Sequence, residues 1–285
     1  VLVTTGVIRP ARRPRGWCAP GPPPAGPGDD PTLIPAAGED LCLLAGDWRI
    51  FQRVGGHRWS LDDLVTAWMA AEEMSSAPPA RVADLGCGIG TVLMLLAWRF
   101  PAARVEGLEA EPEKAALARR SLSWNGCANR CAVHLGDLRD ASAPVGSFDL
   151  VTGTPPYLPR GTATEPARAD RGPWHFEHRG GIEDYCHAAA RRLAPGAPFV
   201  VCAGSVQEAR VERAAADAGL LVVRRRDVVP RAGKDALFAV YVMRATAMVP
   251  AVERPLVVRD ARGAWTPAFR AVRRAMGMPD RPPSE

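Results

Sequence analysis

Arg81-Val82-Ala83-Asp84-Leu85-Gly86-Cys87-Gly88-Ile89-Gly90 runs directly into Thr91-Val92-Leu93-Met94-Leu95-Leu96-Ala97. A short apolar run ends on an acid, a turn with three glycines follows, and a helix-like apolar stretch begins. Glycine has no Cβ and tolerates positive φ, so such a turn lets backbone approach a ligand closely. The first N–H groups of the helix beyond it have no partner within the helix. The next strand-like run, Val105-Glu106-Gly107-Leu108-Glu109, again ends on an acid. An acid at that place can hold a ribose diol through two hydrogen bonds. The spacing Gly86-x-Gly88-x-Gly90 is not the dinucleotide G-x-G-x-x-G, and no Gly-Lys-Ser/Thr of a phosphate loop is present, which argues against NAD and ATP. A doubly wound domain with a tight first turn and no cofactor meets the same local pattern.

Outward from this stretch the chain alternates strand and helix, the mark of an α/β fold with a mostly parallel sheet. The expected core strands are 81–84, 104–108, 132–135, 148–152, 198–203, 220–226 and 237–243. The expected helices are 90–99, 112–125, 181–193 and 206–218. The fold class is therefore α/β: a doubly wound, seven-stranded Rossmann-like sheet over residues 79–250, preceded by a small N-terminal subdomain at 36–78.

In that subdomain Trp48-Arg49-Ile50-Phe51-Gln52-Arg53 reads as one hairpin arm, Gly55-Gly56 as the turn and His57-Arg58-Trp59 as the return. Ser60-Leu61-Asp62-Asp63 reads as a helix start with an acid three residues after the cap. Such a segment either closes over a ligand or covers a sheet edge. Residues 1–35, with Pro20-Gly21-Pro22-Pro23-Pro24, lack any helix or strand pattern and are expected to be disordered. Residues 251–285 form a C-terminal extension, a strand plus turn and a short amphipathic helix at 269–276, and then a tail.

The chain has 285 residues, a formal charge of +5 and a sequence pI near 9.0. That balance suits an RNA or DNA partner without demanding one. Nearly all of the basic residues are arginine, which forks onto phosphates, but arginine with abundant Ala, Gly and Pro also marks a GC-rich gene. Seven cysteines, an odd number in a long chain, do not make a secreted disulfide framework. Cys127 and Cys131 with His134 make at most half of a zinc pattern, so no metal is expected. No apolar run reaches the roughly 20 residues of a membrane span. A cytoplasmic protein is expected, although the acid-free N-terminus with Arg9, Arg12, Arg13 and Arg15 also fits an organelle-targeting segment.

The second informative motif closes the fourth core strand: Thr152-Gly153-Thr154-Pro155-Pro156-Tyr157. Doubly wound sheets bind ligands outside the carboxyl ends of their strands, so this loop should face the glycine turn. Two prolines stiffen the loop and leave its carbonyl oxygens as acceptors. Thr154, the Pro155 carbonyl and the Tyr157 ring suit an exocyclic amine beside a planar ring.

The Gly86-to-Gly90 turn resembles the first motif of class I S-adenosylmethionine-dependent methyltransferases. The tetrapeptide resembles the Asn-Pro-Pro-Tyr signature of members that methylate exocyclic amines of adenine or cytosine, or the glutamine amide of release factors, with Thr154 standing where Asn is expected. A threonine hydroxyl accepts one hydrogen bond but must orient its own proton, so the replacement implies weaker activity, a different acceptor or lost activity. The resemblance implies S-adenosylmethionine as cofactor, held by Asp84, Gly86, Cys87, Gly88, Gly90, Glu109, Asp137 and Leu138. Glu109 would take the ribose and Asp137 the adenine amine. It implies Thr154, Pro155, Pro156 and Tyr157 as the catalytic set.

Trp48-Arg49-Ile50-Phe51-Gln52, Trp59-Ser60-Leu61-Asp62 and Pro230-Arg231-Ala232-Gly233-Lys234 narrow the likeness to the tRNA(Val) adenine-37 N6-methyltransferase group and its relatives. The expected substrate is then adenine N6 in structured RNA such as tRNA. A protein glutamine amide, a small molecule or a catalytically weak cofactor binder are the alternatives. Arg160, Trp174 and Arg179, in the long segment after Tyr157, are the expected substrate contacts. Arg224-Arg225-Arg226 with Arg231 and Lys234 form a second basic cluster, read either as an RNA contact or as a solvated strand end.

Overall fold

The computed structural model describes residues 6–56, 58–140, 146–157 and 180–280. A three-stranded sheet comes first: β1 (Val7–Ile8), β2 (Glu39–Leu43) and β3 (Arg49–Arg53), in that order across the sheet. The first helix, α1 (Leu61–Glu73), leads to the central sheet. There β4 (Arg81–Leu85), α2 (Thr91–Arg99), β5 (Arg104–Glu109), α3 (Pro112–Trp124) and β6 (Cys131–Leu135) form one half. The other half is β7 (Leu150–Gly153), α4 (Ile182–Ala190), β8 (Phe199–Gly204), α5 (Glu208–Asp217), β9 (Leu221–Arg231) and β10 (Phe238–Arg244). The chain ends with β11 (Ala251–Val252), β12 (Leu256–Arg259) and α6 (Pro267–Ala275).

The central sheet has nine strands in the order β11-β9-β10-β8-β7-β4-β5-β6, with β12 also on β9. All seven expected strands are present, and β11 and β12 lengthen the β9 edge. The β4, β5, β6, β7 and β8 ladder is parallel, while β10 runs antiparallel to both β8 and β9. From β4 the chain steps outward to β5 and β6, then returns to the other side of β4 with β7 and moves away to β8. The reversal lies between β4 and β7, and the crevice at their carboxyl ends is the binding place of such a sheet.

Side chains alternate between the two faces of each strand. On β8, Val200 and Cys202 join the core under α1, α2 and α3. Phe199, Val201 and Ala203 join the core under α4 and α5. Helix α2 is apolar nearly all round and is buried from Thr91 through Ala97, as a helix covered on every side requires. Gly107 on β5 lets the glycine turn lie close: a Cβ there would stand 2.6 Å from Cys87 Sγ and 2.6 Å from Leu93 Cδ1. Cys87 is thus a small buried filler, as its neighbours suggest.

Three expectations change. The partner of β3 is the upstream strand β2, in antiparallel register from Glu39↔Arg53 to Leu43↔Arg49, and not a return at 57–59. Trp59 instead takes the Gln52 side-chain oxygen on its backbone N–H at 2.9 Å. Residues 6–35 are not left without structure: β1 pairs with β2, Pro31–Leu33 forms a 3-10 turn, and the core holds the irregular backbone between them. Arg13 pairs with Asp47, Gly26 N–H donates to the Trp124 carbonyl at 2.9 Å, and Arg120 reaches the carbonyls of Thr32 and Ile34. The third change is in the basic cluster. Arg224 pairs with Glu73 and Glu253, Arg225 with Glu208 and Asp227, and Arg226 with Glu253. These guanidinium groups tie α1, α5 and the C-terminal extension to the sheet and spend their charge inside the protein.

Glu73 also pairs with Arg244 at 2.6 Å, closing the end of α1 onto β9 and β10. Burial pushes its carboxyl up, but hydrogen bonds from Arg244 and Arg224 outweigh that and hold it below its ordinary range. Glu73→Gln is expected to lower stability by about 1–3 kcal/mol, because two partly buried cations lose a shared partner. The shift in urea midpoint checks this.

Candidate active site

The glycine turn is held by two buried carboxylates. Asp84, 2% exposed at the end of β4, accepts the Leu93 N–H at 3.1 Å and the Thr152 hydroxyl at 2.8 Å. It thereby caps α2 and ties β4 to β7. Burial pushes its carboxyl up to about 7 despite those two donors, and Glu109 adds to the shift. With both oxygens engaged, Asp84 shapes the turn. Glu109, 6% exposed at the end of β5, accepts the Gly88 N–H and the Glu111 N–H, each at 2.8 Å. A carboxylate has about four lone-pair sites, so each oxygen retains one for a ligand.

Gly86, Gly88 and Gly90 all have positive φ. A Cβ on Gly86 would lie 2.0 Å from the hydroxyl oxygen of Tyr185, while a Cβ on Gly88 would meet nothing within 4 Å. The turn therefore packs against Tyr185 on one side and opens to space at Gly88. Tyr185, buried on α4, also leaves no room for a side chain at Gly153, where a Cβ would stand 2.7 Å from its ring. Burial drives its hydroxyl well above the usual tyrosine range, with Glu109 and Asp84 adding to the shift. Sequence reasoning missed Tyr185, because its place beside the turn comes from packing across the sheet.

Asp137 follows β6 at the same carboxyl edge. Arg139 grips it through its backbone N–H and through Nε, both at 2.9 Å, and through Nη2 at 2.5 Å. Leu138 beside it is buried. The acids at the ends of β4 and β5 and the acid after β6 thus line one edge, where a nucleoside-bearing cofactor needs acceptors.

Across the crevice, Thr154, Pro155, Pro156 and Tyr157 follow β7. Tyr157 stacks on Phe238 with centroids 6.4 Å apart and planes at 20°. Its hydroxyl donates to Asp62 Oδ2 at 2.8 Å and lies 3.2 Å from Cys202 Sγ, and its carbonyl accepts from Gln207 Nε2 at 2.6 Å. The first turn of α1 therefore holds the tyrosine end of the tetrapeptide through Asp62. Sequence reasoning placed Asp62 and Asp63 correctly at a helix start and saw in them only a cap; that role is also present, with Ser60 N–H on Asp63 Oδ2 at 3.0 Å. Arg160, Trp174 and Arg179 lie outside the described residues.

Residues 82–161 match the family model described as a methyltransferase domain. This span is thus similar to a methyltransferase domain, and within it the glycine turn and its acids resemble the class I S-adenosylmethionine-dependent type. The matched span holds both motifs, from β4 through the Thr154–Tyr157 tetrapeptide. Among the relatives, a tRNA1(Val) (adenine(37)-N6)-methyltransferase of Porphyromonas gingivalis is 36% identical over 33% of this chain and 38% of its own length. A 4-amino-L-phenylalanine/4-methylamino-L-phenylalanine methyltransferase of Streptomyces pristinaespiralis is 39% identical over 46% of each chain. A release factor glutamine methyltransferase of Bordetella pertussis is 33% identical over 57% of this chain and 60% of its own. The chain thus matches less than two thirds of the length of each of these relatives. The structure of a predicted O-methyltransferase from Agrobacterium tumefaciens superposes with a TM-score of 0.60 at 22% identity, covering 76% of this chain and 98% of that one, which shows the shared fold.

The residues fit the cofactor of this class. The open space above Gly88, the start of α2 and the spare lone pairs of Glu109 provide room and acceptors of the right kind. When bound, S-adenosylmethionine supplies an electrophilic methyl group. Glu109→Gln removes the charge that binds the Gly88 N–H and that would hold a ribose diol. Charge-assisted hydrogen bonds contribute about 1.5–3 kcal/mol, so cofactor affinity is expected to fall roughly 10- to 100-fold, read by calorimetric titration. Among the described residues no cluster suited to a metal is present, and no helix is long and apolar enough to cross a membrane.

Proposed function

We propose that this methyltransferase transfers the cofactor's methyl group to an exocyclic amine, and that the amine is adenine N6 in structured RNA. The observation that carries the amine reading is the tetrapeptide Thr154–Tyr157 at the carboxyl end of β7, directly across the β4–β7 crevice from the glycine turn. Its threonine oxygen and Pro155 carbonyl are acceptors for amine N–H groups, and its tyrosine offers an aromatic face. Positioning of this kind supplies several kcal/mol of the barrier, and no strong base is needed because the proton leaves the nitrogen after attack. In this reading Asp84, Gly86, Cys87, Gly88, Gly90, Glu109, Asp137 and Leu138 hold the cofactor, and Arg160, Trp174 and Arg179 contact the substrate.

The tRNA relative supports adenine as the acceptor. A second reading, a small aromatic amine, is favoured by the Streptomyces relative and by the internal pairing of Arg224, Arg225 and Arg226, which withdraws one cluster from phosphate contact. The release-factor relative keeps a protein glutamine amide in view. Incubation with methyl-labelled cofactor and separate pools of tRNA, protein and 4-aminophenylalanine tests the choice. Label in tRNA, with affinity that falls steeply as salt rises, is the expected result. Label confined to the free aromatic amine selects the second reading, and label in protein selects the amide.

A further inference from the structure

A cavity of about 130 Å³ opens where three parts of the chain meet, and none of the residues of the β4–β7 crevice line it. The arm before β2 contributes Arg12, Arg13 and Trp17, the segment before α1 contributes Trp59, and the C-terminal extension contributes Trp265 and Arg273. The Gly46 N–H donates to the Gly277 carbonyl at 2.7 Å, which fastens the β2–β3 turn to the extension beside the cavity. An engineered cavity of about 150 Å³ holds a benzene ring, so this one has room for a single planar group.

Its wall pairs aromatic rings with guanidinium groups. Arg273 lies over the Trp265 ring, 4.2 Å from guanidinium carbon to centroid, and Arg13 lies over the Trp17 ring at 5.0 Å. Asp47 meets the charge of Arg13. Arg12 and Arg273 form no ion pair among the described residues. Arg12 is exposed, whereas Arg273 is half-buried and spends its Nε on the Pro279 carbonyl at 2.6 Å. Burial lowers the Arg273 guanidinium to about 10, and Asp280, itself held by Arg274 at 2.8 Å, offsets that only in part. Arg273 is still charged at neutral pH, so the wall holds a desolvated cation with no partner of its own. Such a charge favours an anion beside it.

The chemistry of the wall selects the ligand. A small inorganic anion would use the cations and leave three indoles idle. An uncharged ring would use the indoles and leave Arg273 unmet. A base with its phosphate uses both: bases stack on aromatic rings and guanidinium planes, and arginine forks onto phosphate.

We propose that this cavity is a nucleotide-binding subsite for the RNA substrate, one base entering among the indoles while its phosphate meets Arg273 and Arg12. The inference rests on the RNA reading above and gives it a contact wholly outside residues 82–161. It supplies the unpaired positive charge that Arg224, Arg225 and Arg226 lack. Trp59 precedes Asp62 by three residues, at most about 11 Å of chain, and Asp62 holds Tyr157. The subsite and the tetrapeptide thus flank one end of α1, within the span of one folded RNA.

The test compares wild type, Arg12→Ala, Trp17→Ala and Arg273→Gln. It measures binding of bulk tRNA across a salt series, titration with AMP, and steady-state methyl transfer. Arg12→Ala and Arg273→Gln are each expected to weaken tRNA binding about fivefold and to reduce the slope of log affinity against log salt by about 0.7–0.9. Trp17→Ala is expected to weaken binding about tenfold with the slope unchanged. The losses fall on KM, and AMP alone is expected to bind wild type, more weakly than tRNA, and to lose affinity in Arg273→Gln. A merely structural role would leave the salt slope as it is, and Arg12 is exposed, so the result stands even if Arg273→Gln does not fold. Wild type that methylates tRNA, with tRNA affinity and salt slope unchanged in all three variants, overturns the subsite and leaves the RNA reading intact. AMP binding lost in the variants while tRNA binding is untouched also overturns it and assigns the cavity to a free nucleotide. Wild type that neither binds nor methylates RNA overturns the RNA reading, and the inference with it.

Discussion

Gly86→Ala is expected to abolish measurable cofactor binding, a loss of at least 100-fold in affinity. The residue has a φ of 59°, where an L side chain costs about 1–2 kcal/mol. Its new methyl group would also lie 2.0 Å from the Tyr185 hydroxyl oxygen. A surface side chain would swing away, but Tyr185 is 5% exposed and its ring already abuts Gly153. Either the ring or the turn must move, at about 1–3 kcal/mol for overpacking. The turn is the softer element, so the distortion falls where the cofactor binds. Calorimetric titration reads the affinity, and circular dichroism confirms that the sheet persists. Tyr185→Phe, which removes the clashing oxygen, is expected to restore part of the affinity in the Gly86→Ala chain. Unchanged binding in Gly86→Ala would mean that the turn does not contact the cofactor.

Tyr157→Ala is expected to lower kcat/KM about a thousandfold, whereas Tyr157→Phe should lose about tenfold. The ring stacks on Phe238 and so stands on a fixed support; in the proposed reading its other face takes the planar acceptor. Stacking of a base on an aromatic ring contributes about 1–3 kcal/mol. Alanine forfeits that and releases the loop from Phe238. Phenylalanine keeps the ring and loses the hydroxyl's 2.8 Å bond to Asp62, a charge-assisted contact worth about 1.5–3 kcal/mol in other settings, and its weaker 3.2 Å contact to Cys202 Sγ. The contrast separates the ring from the hydroxyl. Steady-state methyl transfer with both variants provides the check, and equal losses would show that the Asp62 contact, and not the aromatic face, governs the rate.

What the sequence made legible follows from the range of the forces involved. The strand, the glycine turn and the start of α2 are local: Asp84, Gly86, Gly88 and Gly90 lie within one β–turn–α unit, and Glu109 ends the next strand. Their spacing alone places the acids at one sheet edge. The alternation of core strands was equally readable, since buried parallel strands are short apolar runs bounded by turn residues. The partner of β3 was not. Gly55-Gly56 is a strong turn signal, whereas β2 begins with the two acids Glu39 and Asp40, which hide its alternation. Both are buried and neutralised by Arg120, Arg9 and Arg58, groups distant in sequence. Residues 6–35 offered no period to read, because their order comes from individual contacts with the core. Tyr185 and Asp62 escaped for the same reason. Tyr157 and Asp62 stand 95 residues apart, and only the crossing of α1 over β7 and β8 brings them together.

The most direct test of the account is to identify the atom that receives the methyl group. Wild-type protein is incubated with isotopically labelled S-adenosylmethionine and bulk tRNA, the RNA is digested to nucleosides, and the labelled product is located by mass spectrometry. The account predicts label on an exocyclic nitrogen, as N6-methyladenosine, and its loss in Tyr157→Ala. Label on a ribose oxygen or a ring carbon, or cofactor binding with no nitrogen methylated in any pool, would contradict it.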